Sequence, residues 1–250
     1  MRNTRFIFVE GIMGAGKSTT AWFLYEQLQQ HGAAARFMLE GPTIDEPEHP
    51  LRVATELSHP NAAWLDVTVE EFIERSLQKW RSFMRDARQS AVVTVCDGLL
   101  FHGNMTDVLL MDAEPAILQR YVAQVIEIID DLNPVVIYFY RADIARALRT
   151  ICDERGSAWE AYQVNWKVSS PYGAQRSLQG FDGLVQLYQD YRALCDDVFA
   201  QLTLPKLTIC NEGDWAAYYR EILTFLQLPL KGQEPNRLKA MGLCEQALLD

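Results

Sequence analysis

The stretch Phe6-Ile-Phe-Val-Glu-Gly-Ile-Met-Gly-Ala-Gly-Lys-Ser-Thr-Thr20 decides how the rest of the chain is interpreted. Its apolar start, residues 6–9, predicts a buried strand, and the glycine-rich loop that follows has the spacing G-x-x-x-x-G-K-S. A helix-forming segment begins at Lys17. A phosphate-binding P-loop requires this order of strand, loop and helix, because backbone N–H groups and the positive helix end then surround a polyphosphate.

The residues of this loop have separable predicted roles. Lys17 can reach the β- and γ-phosphates, and Ser18 offers its hydroxyl to Mg²⁺. Glycine is needed where φ is positive or where a Cβ would collide with phosphate oxygens. We therefore predict a nucleoside triphosphate site, with ATP and Mg²⁺ as cofactors. The predicted contacts are the loop residues Gly11, Met13, Gly14, Ala15, Gly16, Lys17, Ser18 and Thr19.

The composition is that of a globular protein and excludes several functions. Of the 250 residues, 49% are hydrophobic and 22% are charged, which suits one large α/β domain. The net charge of −10 argues against nucleic-acid and membrane partners. The apolar runs are too short to span a bilayer, and the N-terminus shows no signal peptide. The five cysteines are scattered, so we expect reduced thiols and a cytoplasmic protein.

Short apolar runs alternate with longer amphipathic segments along the chain. Strands are predicted at 6–9, 35–39, 91–96, 135–140 and 206–210, and helices at 17–31, 68–89, 114–132, 142–155, 184–202 and 214–226. Such crossovers predict a three-layer, doubly wound, five-stranded parallel sheet. The polar stretch that runs to about residue 61 contains four prolines and is not regular throughout. Residues 1–228 form the predicted domain, and residues 229–250 a tail expected to be helical.

Acidic side chains follow several of the predicted strands, where ligands of parallel sheets bind. Asp97 follows an apolar strand in the manner of a Walker-B carboxylate, which favours a role as Mg²⁺ ligand. Substrate binding, base chemistry and helix capping stay open for Asp97. Glu40 ends the second strand and is either the base that takes a proton from an acceptor hydroxyl or a structural acid. Glu10 is expected to shape the loop through a hydrogen bond.

Arginines gather after the fourth strand, in an otherwise acidic chain. A phosphotransferase must neutralise charge on the transferring group and exclude water, and arginines on a closing segment do both. Arg149 and Arg155 are the predicted catalytic arginines of a helical lid spanning about residues 142–183. The other possibility for each of them is a solvated surface arginine. The aromatic residues of 157–183 either pack this lid or hold a substrate ring.

Residues 8–19, Phe-Val-Glu-Gly-Ile-Met-Gly-Ala-Gly-Lys-Ser-Thr, resemble the opening of the P-loop nucleoside and nucleotide kinases, particularly the thymidylate and deoxynucleoside kinases. The order of elements is similar over residues 5–228. The resemblance implies that Glu40 acts as base, that Asp97 opens the Asp-Arg signature, and that Arg149 and Arg155 belong to the lid. Asn211-Glu212-Gly213 resembles the loop that approaches adenine.

The acceptor half of that resemblance is incomplete. Gly98 stands where the signature has an arginine, and Gly41-Pro-Thr-Ile replaces the Arg-Glu-Pro-Gly-Gly run of thymidylate kinases. An antibiotic, a sugar-like metabolite and a modified nucleotide all stay open as acceptors, and a homodimer is one option for the assembly. We predict an ATP- and Mg²⁺-dependent kinase that phosphorylates a hydroxyl or phosphate of a small molecule. The alternative is a regulatory NTPase that hydrolyses ATP to control a protein partner.

Overall fold

The computed structural model describes residues 3–40, 49–50, 53 and 67–231. Its five strands form one parallel sheet in the order β2-β3-β1-β4-β5. Their bounds are β1 (Phe6–Gly11), β2 (Ala35–Met38), β3 (Val93–Asp97), β4 (Val135–Tyr140) and β5 (Lys206–Cys210). The predicted α/β class and the five-stranded parallel sheet are confirmed.

Helices connect these strands, as the periodicity of the sequence predicts. The described helices are α1 (Lys17–Gln30), α2 (Val69–Gln89), α3 (Asn104–Leu110), α4 (Pro115–Ile129), a 3₁₀ turn (Asp130–Leu132), α5 (Ile144–Arg155), α6 (Ser157–Gln163), a π-helix (Val164–Val168), α7 (Pro171–Gln175), α8 (Gly180–Gln201) and α9 (Trp215–Phe225). None of them combines the length and the apolar character that a membrane crossing needs.

Because β1 is the central strand, the glycine-rich loop that follows it lies in the middle of the carboxyl end of the sheet. All six residues of β1 are buried, and β3 and β4 flank the strand on its two sides. Val9 lies opposite Asp97 in the register of β1 and β3. The loop after β1 and the carboxylate that ends β3 therefore emerge at the same edge, because the strands are parallel.

Local sequence signals explain several helix ends. Thr68 caps α2, since its hydroxyl accepts a hydrogen bond from the Glu71 N–H and the Glu71 carboxylate accepts one from the Thr68 N–H. This reciprocal pair is the predicted capping box. Pro115 occupies the first turn of α4, where a missing N–H costs nothing. Both helices begin within one residue of the prediction.

Three sequence expectations need correction. Strand β3 begins at Val93 and includes Asp97, whereas the prediction was 91–96, because pairing with β1 reaches Asp97. Helix α3 was not predicted; it is only seven residues long and buried throughout, so it shows no amphipathic period. The segment assigned to the lid is helical, but α8 already begins at Gly180. Most of the polar stretch after Glu40, and of the tail beyond Lys231, lies outside the described residues.

Candidate functional site

The glycine-rich loop has the backbone conformation that its sequence predicts. Gly11, Gly14 and Gly16 have φ values of 146°, 70° and 100°, which disfavour any side chain. A Cβ on Gly11 would collide with the carbonyl oxygen of Phe139, and one on Gly16 would collide with the Trp215 ring. The glycines therefore serve the fold of the loop itself as well as the approach of a ligand.

Lys17 and Glu40 face each other across this edge of the sheet. Lys17 begins α1 and is buried, and its Nζ donates to the carbonyl oxygen of Ile12 at 3.4 Å. The same Nζ lies 3.8 Å from Glu40 Oε2. His102 Nε2 lies 3.7 Å from that oxygen, on the segment that follows β3. Glu40 is thus the meeting point of two groups that the sequence places far from it.

The surroundings of Glu40 favour its charged form, whereas those of His102 favour its neutral form. Desolvation opposes ionisation of Glu40, but its charge interactions with His102, Lys17, Lys167 and Arg155 outweigh it and lower its pKa. The Glu40 side chain is 46% exposed, which limits the desolvation. Burial, together with repulsion by Lys17 and Lys167, lowers the pKa of His102 to about 3, although Glu40 opposes this shift. At pH 7 Glu40 is therefore a carboxylate and His102 a neutral imidazole.

Asp97 lies at the end of β3 and is almost fully buried. Its Oδ1 has no hydrogen-bond partner among the described residues, while its carboxyl interacts with the Ser18 hydroxyl. Burial and the charge of Glu40 raise the pKa of Asp97 to about 6, against the opposing effects of Lys17 and Ser18. A buried carboxylate oxygen without a partner is costly. A cation beside Asp97 and Ser18 would remove that cost.

Glu10 has a structural role that differs from the expected one. Its carboxylate accepts hydrogen bonds from the backbone N–H groups of Leu100, Phe101 and His102 at 2.7, 3.1 and 3.4 Å. It therefore shapes the loop after β3 and not the glycine-rich loop. Burial raises its pKa to about 7, although the three N–H groups and Lys17 favour the charged form. Through this contact Glu10 positions His102 beside Glu40.

The loop after β5 reaches the phosphate-loop glycines. Asn211 Nδ2 donates to the carbonyl oxygen of Ala15 at 2.8 Å, and Arg141 donates to the Asn211 carbonyl oxygen at 2.5 Å. Trp215, the first residue of α9, packs on Gly16. The Asn211–Gly213 loop is therefore attached to the glycine-rich loop. Arg141 serves this attachment.

The two predicted lid arginines have different surroundings. Arg149 donates to Glu160 Oε2 at 2.9 Å and stacks 3.7 Å from the centre of the Phe181 ring. Arg155 ends α5, and its guanidinium lies 5.0 Å from the centre of the Trp159 ring. The charge of Arg155 also contributes to the lowered pKa of Glu40. Arg155 therefore influences Glu40 through its charge while its contact is with Trp159, whereas Arg149 joins α5 to α6 and α8.

Three buried titratable residues, two of which interact with Glu40 and the third with Lys167, were not predicted as site residues from the sequence. They are His102, Asp107 on α3 and Lys167 in the π-helix. The low exposure of all three side chains is the tertiary signal that marks them, since charged groups are rarely buried unless they are used. The sequence offered one indirect signal, which is that Lys167 lies between aromatic residues in a chain with few lysines. The ring nitrogen of His49 lies 3.0 Å from the Leu39 carbonyl oxygen.

Gly98 is required by the geometry of the site. Its φ is 71°, and a Cβ there would lie 3.0 Å from Glu40 Oε2, 3.1 Å from Lys17 Cε and 3.2 Å from His102 Cβ. An arginine at this position would therefore displace the groups that converge on Glu40. The absence of the signature arginine follows from this packing.

The donor set suits Mg²⁺ that is shared with a phosphate ligand. Among the described residues, no group of three or more His, Cys, Asp or Glu side chains could hold a metal alone. Mg²⁺ in phosphotransferases takes one or two protein ligands and completes its shell with water and phosphate. Asp97, with its unpartnered Oδ1, and Ser18 fit that requirement.

The structure also contains a cavity of about 550 Å³ at the opposite edge of the sheet. Its lining comes from the start of β1 and β3, the end of α1 and the 3₁₀ turn, and includes Arg5, His31 and Asp131. The cavity therefore lies away from the glycine-rich loop.

No known protein family matches this chain, and no curated protein sequence matches it either. The assignment of a function therefore rests on the residues of this chain and their geometry.

Proposed function

We propose that this protein is an ATP- and Mg²⁺-dependent kinase of the P-loop type, which transfers the γ-phosphoryl group to a hydroxyl of a small molecule. The observation that carries the proposal is the convergence of Lys17, Glu40 and Asp97 at one edge of the sheet. A phosphate-binding lysine, an ionised carboxylate and a buried acid beside Ser18 supply the parts that phosphoryl transfer needs. The strand order β2-β3-β1-β4-β5 supports a doubly wound P-loop fold, because the chain winds in both directions from β1.

The glycine-rich loop would bind the donor. Its backbone N–H groups and the start of α1 would bind the β- and γ-phosphates, and Lys17 would exchange its contact with Glu40 for these oxygens. Ser18 and Asp97 would hold Mg²⁺, which supplies charge neutralisation on the phosphates when bound. Asn211 and Trp215 lie on the side of the loop where the base of the nucleotide would lie.

Glu40 would act as the general base. Its lowered pKa keeps the carboxylate ionised at neutral pH, so it can accept the proton of an acceptor hydroxyl. The hydroxyl oxygen bonds to the γ-phosphorus, the bond from that phosphorus to the β–γ bridging oxygen breaks, and ADP leaves. A hydroxyl acceptor is favoured over a phosphate acceptor here, because an ionised phosphate needs no base and would be repelled by Glu40.

Arg155 would stabilise the charge of the transferring group. It ends α5 at a glycine, Gly156, whose φ of 90° turns the chain into α6. A guanidinium on such a turn can approach the equatorial oxygens when the helices close over the site. Arg149 would support this closure through its contacts with Glu160 and Phe181.

Transfer of a labelled γ-phosphoryl group tests the proposal. The purified protein is incubated with [γ-³²P]ATP and Mg²⁺ against a panel of hydroxyl-bearing metabolites, and label in an acceptor is separated from free phosphate. We expect one acceptor class to be labelled and the Lys17→Ala variant to lose this labelling. Lys231→Ala is the matched control, because the Nζ of that lysine donates to the Gln30 carbonyl oxygen at the far end of α1, and its contacts with Gln27 are made by the backbone, which the substitution keeps. ATP hydrolysis that proceeds rapidly without any acceptor would instead favour the regulatory NTPase.

A further inference from the structure

Lys167 is a buried cation with little compensation. It lies in the π-helix, and its side chain is almost completely hidden from solvent. Its Nζ donates to Gln163 Oε1 at 2.7 Å and lies 3.6 Å from the centre of the Trp166 ring. An ammonium group has three donors, and among the described residues only Gln163 accepts from this one. π-Helical turns are rare and occur often at functional sites.

The carboxylates near Lys167 do not neutralise it. Among the described residues, no carboxylate oxygen lies within 4.0 Å of its Nζ. The charges of Asp107 on α3 and of Lys167 interact, but no residue in the described part of the chain donates a hydrogen bond to the Asp107 carboxylate. Burial, which Glu40 and Asp107 oppose, lowers the pKa of Lys167 to about 7. The amine is therefore close to half protonated at neutral pH, and a bound anion would favour its ammonium form by compensating the desolvation.

A continuous row of side chains leads from Glu40 to Lys167. His102 Nε2 lies 3.7 Å from Glu40, and its ring centre lies 6.3 Å from that of Tyr191. The Tyr191 and Tyr188 rings are 6.0 Å apart, and Lys167 Nζ lies 5.9 Å from the centre of the Tyr188 ring. The Tyr188 hydroxyl and His102 Nδ1 lack hydrogen-bond partners among the described residues. The row thus begins at the half-exposed Glu40 and ends at a buried cation.

The other cations that act on Glu40 have different tasks. The described lysines and arginines whose charges lower its pKa are Lys17, Lys167 and Arg155. Lys17 belongs to the phosphate loop, and Arg155 lies on the turn between α5 and α6. Gly98 stands where the kinase signature has an arginine, so this position after β3 carries no cation. Of these three, Lys167 is therefore the one that belongs neither to the glycine-rich loop nor to the turn between α5 and α6.

We propose that Lys167 is a specificity residue that binds an anionic group of the acceptor, a carboxylate or a phosphate ester, while Glu40 binds the hydroxyl to be phosphorylated. The acceptor is then a small hydroxy acid or sugar phosphate whose anion is several bonds from the reacting hydroxyl. This inference rests on the proposed kinase function for the role of Glu40, but anion binding by Lys167 can be measured without any turnover.

Calorimetric titration with matched probes tests this proposal. The probes are glycerol, glycerate and glycerol 3-phosphate, together with ribose and ribose 5-phosphate, so that each series pairs a neutral compound with anionic derivatives of the same carbon skeleton. ADP and Mg²⁺ are present throughout, which fills the phosphate loop. We expect the anionic members of at least one series to bind about 30-fold or more tightly than the neutral one, as for other buried charge pairs. The carboxylate and phosphate arms then show which anion is preferred.

Two lysine variants test whether the preference for anionic probes depends on Lys167. Lys167→Met should bind the neutral and anionic probes of a series equally, whereas Lys231→Met should match the wild type. Repeating the titrations in the Lys17→Ala variant excludes anions bound at the phosphate loop, and a preference that survives there belongs to Lys167. If Lys167→Met does not fold, Lys167→Gln replaces it, and the probe series on the wild type still decides.

Three outcomes would overturn the proposal. They are equal binding of neutral and anionic probes by the wild type, an anion preference that persists without Lys167, and no binding of any anionic probe at millimolar concentration. Failure of the kinase function has a separate signature, since labelled phosphate would then never appear in an acceptor whatever the probes show. The two proposals can therefore fail independently.

Discussion

At the residue scale, four buried or half-buried carboxyl groups have surroundings that shift their pKa values in different directions. The pKa of Glu40 is lowered by its cationic neighbours, whereas burial raises those of Asp97, Glu10 and Asp107 to about 6, 7 and 7. Environments that separate pKa values in this way distinguish acid and base roles within a site. Glu40 is the member of this set whose surroundings favour the ionised form, whereas burial opposes ionisation of the other three.

Glu40→Gln tests the base. Its amide cannot accept the proton, so we expect kcat to fall about 10²- to 10⁴-fold with little change in stability. In the wild type, the lowered pKa means that protonation of Glu40 should not slow the reaction above pH 4.5, the ordinary value for this group. The measurement is a steady-state pH–rate profile. Glu221→Gln, at an exposed position on α9, is the control, and near-normal turnover of Glu40→Gln would reduce Glu40 to a structural acid.

Asp107→Asn tests the buried acid through stability. Burial raises the pKa of Asp107 from 3.8 to about 7, so between these values the unfolded chain loses a proton that the folded protein keeps. The free energy of unfolding of the wild type should therefore fall, relative to that of the variant, as the pH rises from 4 to 7. One pKa unit corresponds to about 1.4 kcal/mol, so the change should be about 2–4 kcal/mol.

Urea unfolding of both proteins at pH 4 and pH 8 measures this difference. Asp197→Asn, at an exposed position on α8, controls for the loss of a surface charge. A difference between wild type and Asp107→Asn that stays constant over this range would show that Asp107 is not desolvated as the structure indicates.

At the element scale, the helices after β4 separate two arginines that look alike in sequence. Both lie on α5, six residues apart, yet Arg149 is paired with Glu160 of α6 while Arg155 ends the helix and acts on Glu40. The π-helix and α8 pack against each other, which brings Lys167 close to Tyr188. The segment predicted as a lid is therefore a set of short helices with distinct contacts to the site.

Arg155→Ala should affect turnover more than Arg149→Ala. Loss of a guanidinium that stabilises the transferring phosphoryl group should lower kcat about 10²- to 10³-fold. Arg149 is exposed to a large extent, and its pair with Glu160 should contribute only about 0–1 kcal/mol to stability, so Arg149→Ala should lower kcat less than tenfold. Single-turnover rates for both variants measure the difference. Wild-type kcat in Arg155→Ala would remove Arg155 from the mechanism.

At the scale of the whole molecule, one parallel sheet gathers groups from distant parts of the chain. The edge that carries the glycine-rich loop also carries Glu40 after β2, Asp97 at the end of β3 and Asn211 after β5. A ligand that touches several of these elements links them, and it should therefore stabilise the folded state as a unit.

Thermal unfolding measures this linkage. ATP with Mg²⁺ at about 100 times its Kd should add about 2.7 kcal/mol, which for a chain of this length corresponds to a rise in Tm of about 5–10 °C. Lys17→Ala should abolish the rise, whereas Lys231→Ala should retain it. An unchanged Tm for the wild type with both ATP and GTP would contradict the assignment of the glycine-rich loop.

The sequence by itself determined the glycine-rich loop, the order of strands and helices, and the acids at the ends of β2 and β3. These features depend on local periodicity, on glycines at positive φ and on neighbouring residues, all of which can be read along the chain. Helix α3 escaped prediction because a short, fully buried helix has no polar face to mark its period.

The contacts between these side chains depend on tertiary packing and could not be predicted from the sequence. His102 lies beside Glu40 because Glu10 holds the backbone after β3, and Arg149 is occupied because α6 brings Glu160 against it. Lys167 is separated from Glu40 by more than a hundred residues, so no local pattern could connect them. Burial and charge at such a site depend on packing between distant elements, and that packing exists only in the folded chain.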